Sequence, residues 1–305
     1  MTDNWYSGIV PIVSIKLFQT GWNYSQDGPG NRLLLHFQGC NFDCPWCSNP
    51  EGRSLQGEIF VRKDLLTPGV CPHGAIHQTQ LNRTICISCN EKECLTSRKN
   101  KGISFTSRDY EVPELVQMAS ESQLLFYDGG GVTITGGEAT LQFEDLSTLL
   151  EQLKSRDIHT ALETNGSHKD LQNLFAFLDL LIFDIKHWDF SKAAPLIKNK
   201  GPRVIENLER ACRSSLEILA RITLIPGFND SPEDMKHFAR MIAGMNPGEN
   251  FSLELLEFHE FGRQKWDAIG QKYRGPLAEH STTSASELEQ YKSIFKTHGI
   301  QCVTT

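Results

Sequence analysis

The chain has 305 residues, enough for one large domain or for a domain that carries an insert. A formal net charge of −7 and a pI near 5.8 argue against a protein that binds nucleic acid by neutralising phosphates. No segment approaches the ~18 continuous apolar residues of a membrane span, and residues 1–18 lack the basic start and apolar run of a signal peptide. We therefore expect a cytoplasmic protein, in which nine cysteines favour metal or catalytic roles over disulfides.

Short apolar or β-branched segments alternate with helical patterns along most of the chain. RLLLHFQ (32–38) is the first predicted strand, and SELEQYKSIFKTHG (286–299) is the last predicted helix. Between them we predict helices at 111–125, 143–157, 170–178, 204–212 and 232–244, and strands at 131–135, 158–164, 180–186, 216–225 and 251–258. This alternation predicts an α/β fold with a parallel sheet and right-handed crossovers. About six such units predict a barrel, closed or incomplete.

The composition changes near residue 61 and again near residue 106. The segment between them is polar, rich in cysteine and poor in periodic apolar residues. We therefore divide the chain into the start of the barrel (1–60), an insert (61–105) and the remainder of the barrel (106–305). We expect the insert to be held by something other than a hydrophobic core.

Three cysteines lie close together in QGCNFDCPWC, directly after the first predicted strand. Thiolates of Cys40, Cys44 and Cys47 would leave one coordination position open on a zinc ion or a cubane cluster, as catalytic metal sites do. The carboxyl ends of parallel strands are also where such barrels place their active sites. The alternatives are three unrelated buried cysteines, or a zinc ion completed by a distant ligand.

CNFDCPWC resembles the CxxxCxφC signature of radical S-adenosylmethionine (SAM) enzymes, with Trp46 in the aromatic position. Further segments resemble, in order, the sequence blocks of the activating enzymes of glycyl radical enzymes, such as pyruvate formate-lyase activase. These segments are SQDGPGNRLLLHFQGC, CSNPEG, GGGVTITGGEATLQ, HTALETNG, LLIFDIKHW, RITLIPGFND and FHEFGRQKW. The resemblance implies a partial (β/α)6 TIM-like radical SAM barrel.

The resemblance also implies a reaction. SAM would chelate the open iron of a 4Fe-4S cluster held by the three cysteines, and one electron would cleave its sulfur–C5′ bond. The resulting 5′-deoxyadenosyl radical would take a hydrogen atom from a glycine Cα of a partner glycyl radical enzyme. A flavodoxin or ferredoxin would supply the electron.

Several residues are implied to contact SAM. Gly136 and Gly137 would let the backbone approach the methionyl moiety, and Glu138 offers an acceptor for its ammonium group. By resemblance, Arg221 and His259 would contact the carboxylate or ribose end. Taken alone, GGE is also typical of a turn with a solvated glutamate, and a lone histidine is usually structural.

Charged residues follow other predicted strands. Glu163 and Asp184 lie at consecutive strand ends, where paired carboxylates could hold a cation. The resemblance implies a monovalent cation there, with Thr164, although the activase has Asp at the position of Glu163. It also implies that Lys186 helps fix the methionine and that Asp27 meets the glycyl peptide, although DGPG is equally typical of a turn.

The insert has its own cysteine group. VCPHGAI matches the end of one ferredoxin cluster run, and CISCNEKEC matches the three leading cysteines of a second run. Because the fourth cysteine of one run ligates the other cluster, Cys71, Cys86, Cys89 and Cys94 form one complete ligand set. We infer a ferredoxin-like insert with one auxiliary 4Fe-4S cluster, with a zinc site of four thiolates as the alternative.

Two alternative functions follow from the same residues. The protein could be a radical SAM enzyme with a different substrate, such as a ribonucleotide reductase activase or a small-molecule isomerase. It could also be a non-catalytic iron-sulfur protein of electron transfer. The remaining cysteines, Cys212 in a predicted helix and Cys302 in a predicted terminal strand, are most simply core residues.

Overall fold

The computed structural model describes residues 14–198, 200–276 and 283–305. Residues 1–13, on which the signal-peptide prediction partly rests, lie outside the described residues. Among the residues that are described, no helix is long and apolar enough to cross a membrane.

The strands found in these ranges are β1 (Ser14–Tyr24), β2 (Asn31–Phe37), β3 (Ile59–Val61), β4 (Ile76–His77), β5 (Gln80–Leu81), β6 (Ile103–Phe105), β7 (Arg108–Glu111), β8 (Gly131–Gly136), β9 (Thr160–Thr164), β10 (Leu180–Asp184), β11 (Glu217–Leu224), β12 (Phe251–Glu257) and β13 (Cys302–Val303). The α-helices are α1 (Arg83–Ser88), α2 (Val112–Glu121), α3 (Phe143–Lys154), α4 (Phe190–Ile197), α5 (Gly201–Cys212), α6 (Pro232–Gly244), α7 (Arg263–Ala268) and α8 (Ala285–Thr297).

One nine-stranded sheet, in the order β13-β12-β11-β10-β9-β8-β2-β1-β7, forms the frame of the molecule. The strands from β2 through β8 to β13 run parallel, whereas β1 pairs antiparallel with β2 and β7 pairs antiparallel with β1. Within the described residues the sheet starts at β13 and ends at β7, so it is open. The partial (β/α)6 barrel predicted from the sequence is therefore confirmed.

Two details of the predicted element order were wrong. The sequence prediction began the sheet at RLLLHFQ, but β1 precedes that strand and forms a hairpin with it. The segment 170–178, predicted as a helix, contains a 3-10 helix over Leu171–Phe177. The other predicted helices correspond to α2, α3, α5, α6 and α8, and the short α1, α4 and α7 were not predicted.

Alternate residues of each strand point to opposite faces of the sheet. On β10, Leu181 and Phe183 belong to the large core under the helices, whereas Leu180 and Ile182 belong to a smaller cluster on the inner face. Asp184 continues the inner row at the carboxyl end of the strand. The interior of the barrel is therefore apolar toward the amino ends of the strands and polar at their carboxyl ends.

The segment from β3 to β6 contains two short antiparallel strand pairs and one short α-helix. β3 pairs with β6, β4 pairs with β5, and α1 follows β5 and precedes β6 in the chain. The expectation that this insert lacks a hydrophobic core was wrong, because one small cluster is buried there: Val61, Leu66, Val70, Ile76, Cys94 and Ile103. These residues are single and widely spaced, so no periodic pattern reveals them. The ferredoxin-like assignment and the domain boundaries stay predictions.

Candidate active site

The cysteine triplet follows β2 and lines a cavity of about 320 Å³ at the carboxyl ends of the parallel strands. The loop is fixed by its backbone: the Cys40 amide donates to the Arg53 carbonyl at 2.9 Å, and the Cys47 amide donates to the Cys44 carbonyl at 3.2 Å. Burial raises the pKa of the Cys40 thiol to about 12 and that of Cys44 to about 11. A metal that binds here must therefore displace protons from the thiols.

The glycine pair after β8 packs against this loop. Gly136 has a φ of +114°, which favours glycine, and a Cβ on Gly137 would lie 2.0 Å from the Gly39 carbonyl oxygen. The Gly137 amide donates to the Phe37 carbonyl at 2.9 Å. Both glycines line the cavity, as their predicted role requires.

Glu138 lies differently from its predicted position beside a ligand. Its side chain is completely buried, and its oxygens accept hydrogen bonds from the Thr140 amide and hydroxyl, the Thr164 hydroxyl and the Asn165 amide. Burial raises the pKa of this carboxyl group. In this arrangement Glu138 joins the turn after β8 to the end of β9, and its role as an ammonium acceptor stays a prediction.

Arg221 on β11 is the centre of a buried charge network. Its Nη1 lies 3.3 Å from Oε1 of Glu163 and 3.3 Å from Oδ1 of Asp27, and its Nε donates to Glu254 at 2.8 Å. Thr135 donates to the other oxygen of Glu163 at 2.5 Å. Burial opposes ionisation of Glu163, but Arg221 and the Thr135 hydrogen bond outweigh it and lower its pKa.

Asp184 and Lys186 form an ion pair on the same side of the cavity. Burial opposes the charge of Lys186, but the charge of Asp184, and that of Cys44 when it is a thiolate, outweigh it and raise the pKa of Lys186. The other oxygen of Asp184, Oδ1, is buried and has no hydrogen-bond partner within the described residues. The two predicted cation-binding carboxylates thus each have a cationic side chain as a partner.

Trp46 and His259 complete the lining of the cavity. The Trp46 ring is tilted by 52° against that of Phe228, with ring centroids 5.0 Å apart, and the His259 ring stacks on the exposed Phe261 at 4.3 Å. Thr164 lines the cavity as well. The predicted SAM-binding residues therefore share one cavity, with Glu138 outside its lining.

A comparison with known families decides the membership of this chain. The family model described as Radical SAM superfamily matches residues 34–241, more than half of the chain. The chain belongs to the radical SAM superfamily. Membership implies SAM and a 4Fe-4S cluster as cofactors, and both of these predictions are supported at that level.

Radical SAM relatives of known activity are similar over nearly the whole chain. The 4-hydroxyphenylacetate decarboxylase activating enzyme of Clostridioides difficile is 29% identical and covers 90% of this chain and 91% of that protein. The isethionate sulfite-lyase activating enzyme of Nitratidesulfovibrio vulgaris is 31% identical over 88% and 91% of the two chains. The predicted resemblance to the activating enzymes of glycyl radical enzymes is therefore confirmed.

A solved structure agrees with the fold. A radical SAM methyltransferase from Sphaerobacter thermophilus superposes with a TM-score of 0.50, with 13% identity, over 96% of this chain and 73% of that one. At this identity the likeness concerns the fold of the radical SAM barrel alone.

The second cysteine group comes together in the insert of this radical SAM enzyme. Cys71, Cys86, Cys89 and Cys94 line one small pocket, together with His73 and Lys92. Nowhere in the described ranges are three His, Cys, Asp or Glu side chains arranged to hold a single metal ion. A 4Fe-4S cluster differs from such a site in that its ligands are spread over four iron atoms.

The loop with Cys40, Cys44 and Cys47, here called the triplet loop, is held in place by residues that sequence reasoning missed. Asp43, between Cys40 and Cys44, pairs with Arg53 and with Arg274, the latter at 2.5 Å. Trp266 donates from its indole nitrogen to the Cys47 carbonyl at 2.9 Å. Arg53 and Arg274 have no local pattern that could have revealed them, whereas Trp266 ends the FHEFGRQKW block and could have been noted as a buried donor.

Proposed function

We propose that the protein is a glycyl radical enzyme activase that forms a stable glycyl radical on a partner enzyme. One observation carries the proposal: the three cysteines, the glycine turn and the charged residues of separate strands line one cavity at the carboxyl ends of the barrel. The similarity to activating enzymes over about nine-tenths of the chain supports the same reaction.

The residues present fit the implied cofactors. Three thiols line the cavity and would leave one position of a 4Fe-4S cluster for SAM. The Gly137 position, where a methyl group would meet the Gly39 carbonyl, holds two backbone segments close together beside these thiols. When bound, the cluster would supply one electron to SAM, and the 5′-deoxyadenosyl radical released from SAM would take the hydrogen atom.

The protein side chains would bind and orient SAM. Arg221, which is buried, and Lys186, which is half-buried, are cations on the cavity wall and suit the carboxylate of its methionine. Trp46 and His259 offer ring faces for the adenosyl end. Among the described residues, the predicted monovalent cation has one unpaired oxygen of these two carboxylates, Glu163 and Asp184, available to it, Oδ1 of Asp184. Lys186 pairs with the other Asp184 oxygen, and Arg221 and the Thr135 hydroxyl contact the two oxygens of Glu163.

In the insert, we propose an auxiliary 4Fe-4S cluster on Cys71, Cys86, Cys89 and Cys94. Cys94 belongs to a core of six buried residues and Cys71 packs against it, whereas Cys86 and Cys89 line the same pocket without joining that core. A bound cluster would therefore add stability that this small core lacks. An external donor of low potential, of the flavodoxin or ferredoxin kind, would supply the electron for SAM cleavage.

The decisive experiment is electron paramagnetic resonance of a candidate partner after anaerobic incubation with this protein, SAM and a reductant. We expect a doublet that collapses when the partner's glycine is α-deuterated and disappears when it is replaced by alanine. Robust SAM cleavage with a small-molecule product and no glycyl radical on any partner would instead favour a radical SAM enzyme of another kind.

A further inference from the structure

The short helix α7 packs tightly against both cysteine segments, which are the triplet loop and the insert that carries the second group of cysteines. At its start, a Cβ on Gly262 would lie 2.6 Å from Cα of Ser48 and 2.7 Å from the carbonyl oxygen of Cys47. Just beyond its end, Gly270 has a φ of +73°, and a Cβ there would lie 1.9 Å from Nε of Arg83. The start of α7 thus lies against the backbone of the triplet loop, and the residues after its end lie against the Arg83 side chain of the insert.

Hydrogen bonds follow the same two contacts. Trp266 donates to the Cys47 carbonyl at 2.9 Å, within the triplet loop. At the other end, Arg83 donates through Nη2 to the Ala268 carbonyl at 2.6 Å and through Nη1 to the Ile59 carbonyl at 3.0 Å. Arg83 opens the helix that carries Cys86, so one half-buried guanidinium joins the insert to α7.

Trp266 is buried, and two arginines that pair with the triplet loop lie over its ring. It is 1% exposed, and the guanidinium groups of Arg53 and Arg274 lie 5.1 and 5.6 Å from its ring. Both arginines also pair with Asp43. A shift of the indole would therefore reach the triplet loop at Asp43 as well as at Cys47.

We propose that α7 couples the two cysteine segments, with Arg83 and Trp266 as positioning residues. When the insert is folded around its cofactor, Arg83 is fixed, and through α7 it fixes the carbonyl of Cys47 and the loop on which SAM binds. The inference rests on the proposed function, because it requires a cofactor at both cysteine groups.

The test is a double-mutant cycle on protein that has been reconstituted anaerobically with its iron-sulfur clusters. The readouts are SAM affinity and the electron paramagnetic resonance spectrum of the clusters. Arg83→Met and Trp266→Phe should each weaken SAM binding about threefold to tenfold, the value of a lost hydrogen bond. Because both residues act through α7, the double variant should bind SAM no less tightly than the single variant with the lower SAM affinity. Additive losses, or no loss in either single variant, would overturn the coupling.

A matched control uses the same helix at its surface. Lys63 pairs with Asp267 at 2.6 Å, but both side chains are exposed, so Lys63→Met should change SAM affinity less than about twofold. If Arg83→Met does not fold, Gly270→Ala displaces the same guanidinium by a methyl group. A loss in Lys63→Met equal to that in Arg83→Met would also overturn the proposal.

Removing the proposed auxiliary cluster from the insert tests this inference independently of the proposed function. Cys86→Ala, with about four iron atoms left, should weaken SAM binding as much as Arg83→Met does. A Cys86→Ala protein that binds SAM as tightly as the unaltered protein would overturn the coupling and leave the activase function standing. An unaltered, fully loaded protein that neither binds nor cleaves SAM would instead refute the proposed function.

Discussion

Arg221 and Asp27 meet inside the barrel although 194 residues separate them in the chain. Nη1 of Arg221 lies 3.3 Å from Oδ1 of Asp27, and this contact fixes the loop between β1 and β2 to the centre of β11. Burial and the charge of Glu163 raise the pKa of Asp27, and Arg221 opposes both effects. The residue proposed to meet the glycyl peptide is thus part of the charge network beneath the cavity.

Asp27→Ala should impair partner activation far more than SAM binding. Arg221 keeps Glu163 and Glu254 as partners, so the cavity wall changes little. We expect activation to fall by about tenfold to a hundredfold if the peptide is misplaced. Glycyl radical yield and SAM affinity, measured on the same preparation, check this. Equal losses in both would show that Asp27 acts only through Arg221.

Cys44→Ala should abolish reductive SAM cleavage, because a methyl group cannot replace a thiolate ligand. The measurement is 5′-deoxyadenosine formed after anaerobic reconstitution and reduction with dithionite. Cys302→Ala is the control, since Cys302 is a half-buried residue packed against the core, and it should leave cleavage unchanged. Undiminished 5′-deoxyadenosine from Cys44→Ala would rule out the triplet as the catalytic site.

The reconstituted protein should bind about eight iron atoms, two clusters of four. Replacing Cys71, Cys86, Cys89 and Cys94 together by alanine should halve that number while SAM cleavage remains detectable. Iron and zinc are measured together by elemental analysis. One zinc with about four irons in the unaltered protein would replace the auxiliary cluster by a structural zinc site.

Gly137→Ala should destabilise the protein and weaken SAM binding. The added methyl group meets the Gly39 carbonyl, a backbone atom next to Cys40, so the triplet loop must move at a cost of about 1–3 kcal/mol. Gly244→Ala is the control: space is open at this last residue of α6, and alanine should stabilise the protein by about 0.4–1 kcal/mol because it restricts the unfolded chain. Thermal unfolding and SAM affinity of both variants check the contrast.

Glu163→Gln should lower the free energy of unfolding at neutral pH by about 1–3 kcal/mol, because the Arg221 and Thr135 contacts lose a charged acceptor. The folded pKa of Glu163 lies below its unfolded value of about 4.3. Its stabilisation is therefore complete above that pH and is lost as the pH falls through the folded pKa.

The measurement compares the unfolding free energies of the metal-free variant and the metal-free unaltered protein between pH 7 and about pH 3, a range that extends below the unfolded pKa of about 4.3. Without iron, metal loss cannot contribute to the pH dependence. The difference between them should shrink at the acid end. The exposed Glu249 is the control, and Glu249→Gln should show no such difference. A gap between the Glu163 variant and the unaltered protein that is constant with pH would contradict the ion pair with Arg221.

The sequence by itself determined the alternation of strands and helices, the open thiol triplet and the order of the blocks around it. These features are local: ligand spacing such as Cys40–Cys44–Cys47 and the period of apolar residues are both written within a few neighbouring positions. The carboxyl ends of parallel strands then necessarily meet at one edge, which is why Glu163, Asp184 and Lys186 were expected together.

Only the tertiary structure decided how the charged groups are paired. Glu138 is taken up by Thr140, Thr164 and Asn165 instead of lining the cavity, and Asp27 reaches Arg221 across most of the chain. The core of the insert and the placement of α7 between the cysteine segments likewise depend on contacts between distant residues. Such contacts follow from packing and hydrogen-bond geometry in three dimensions, and no local period in the sequence reports them.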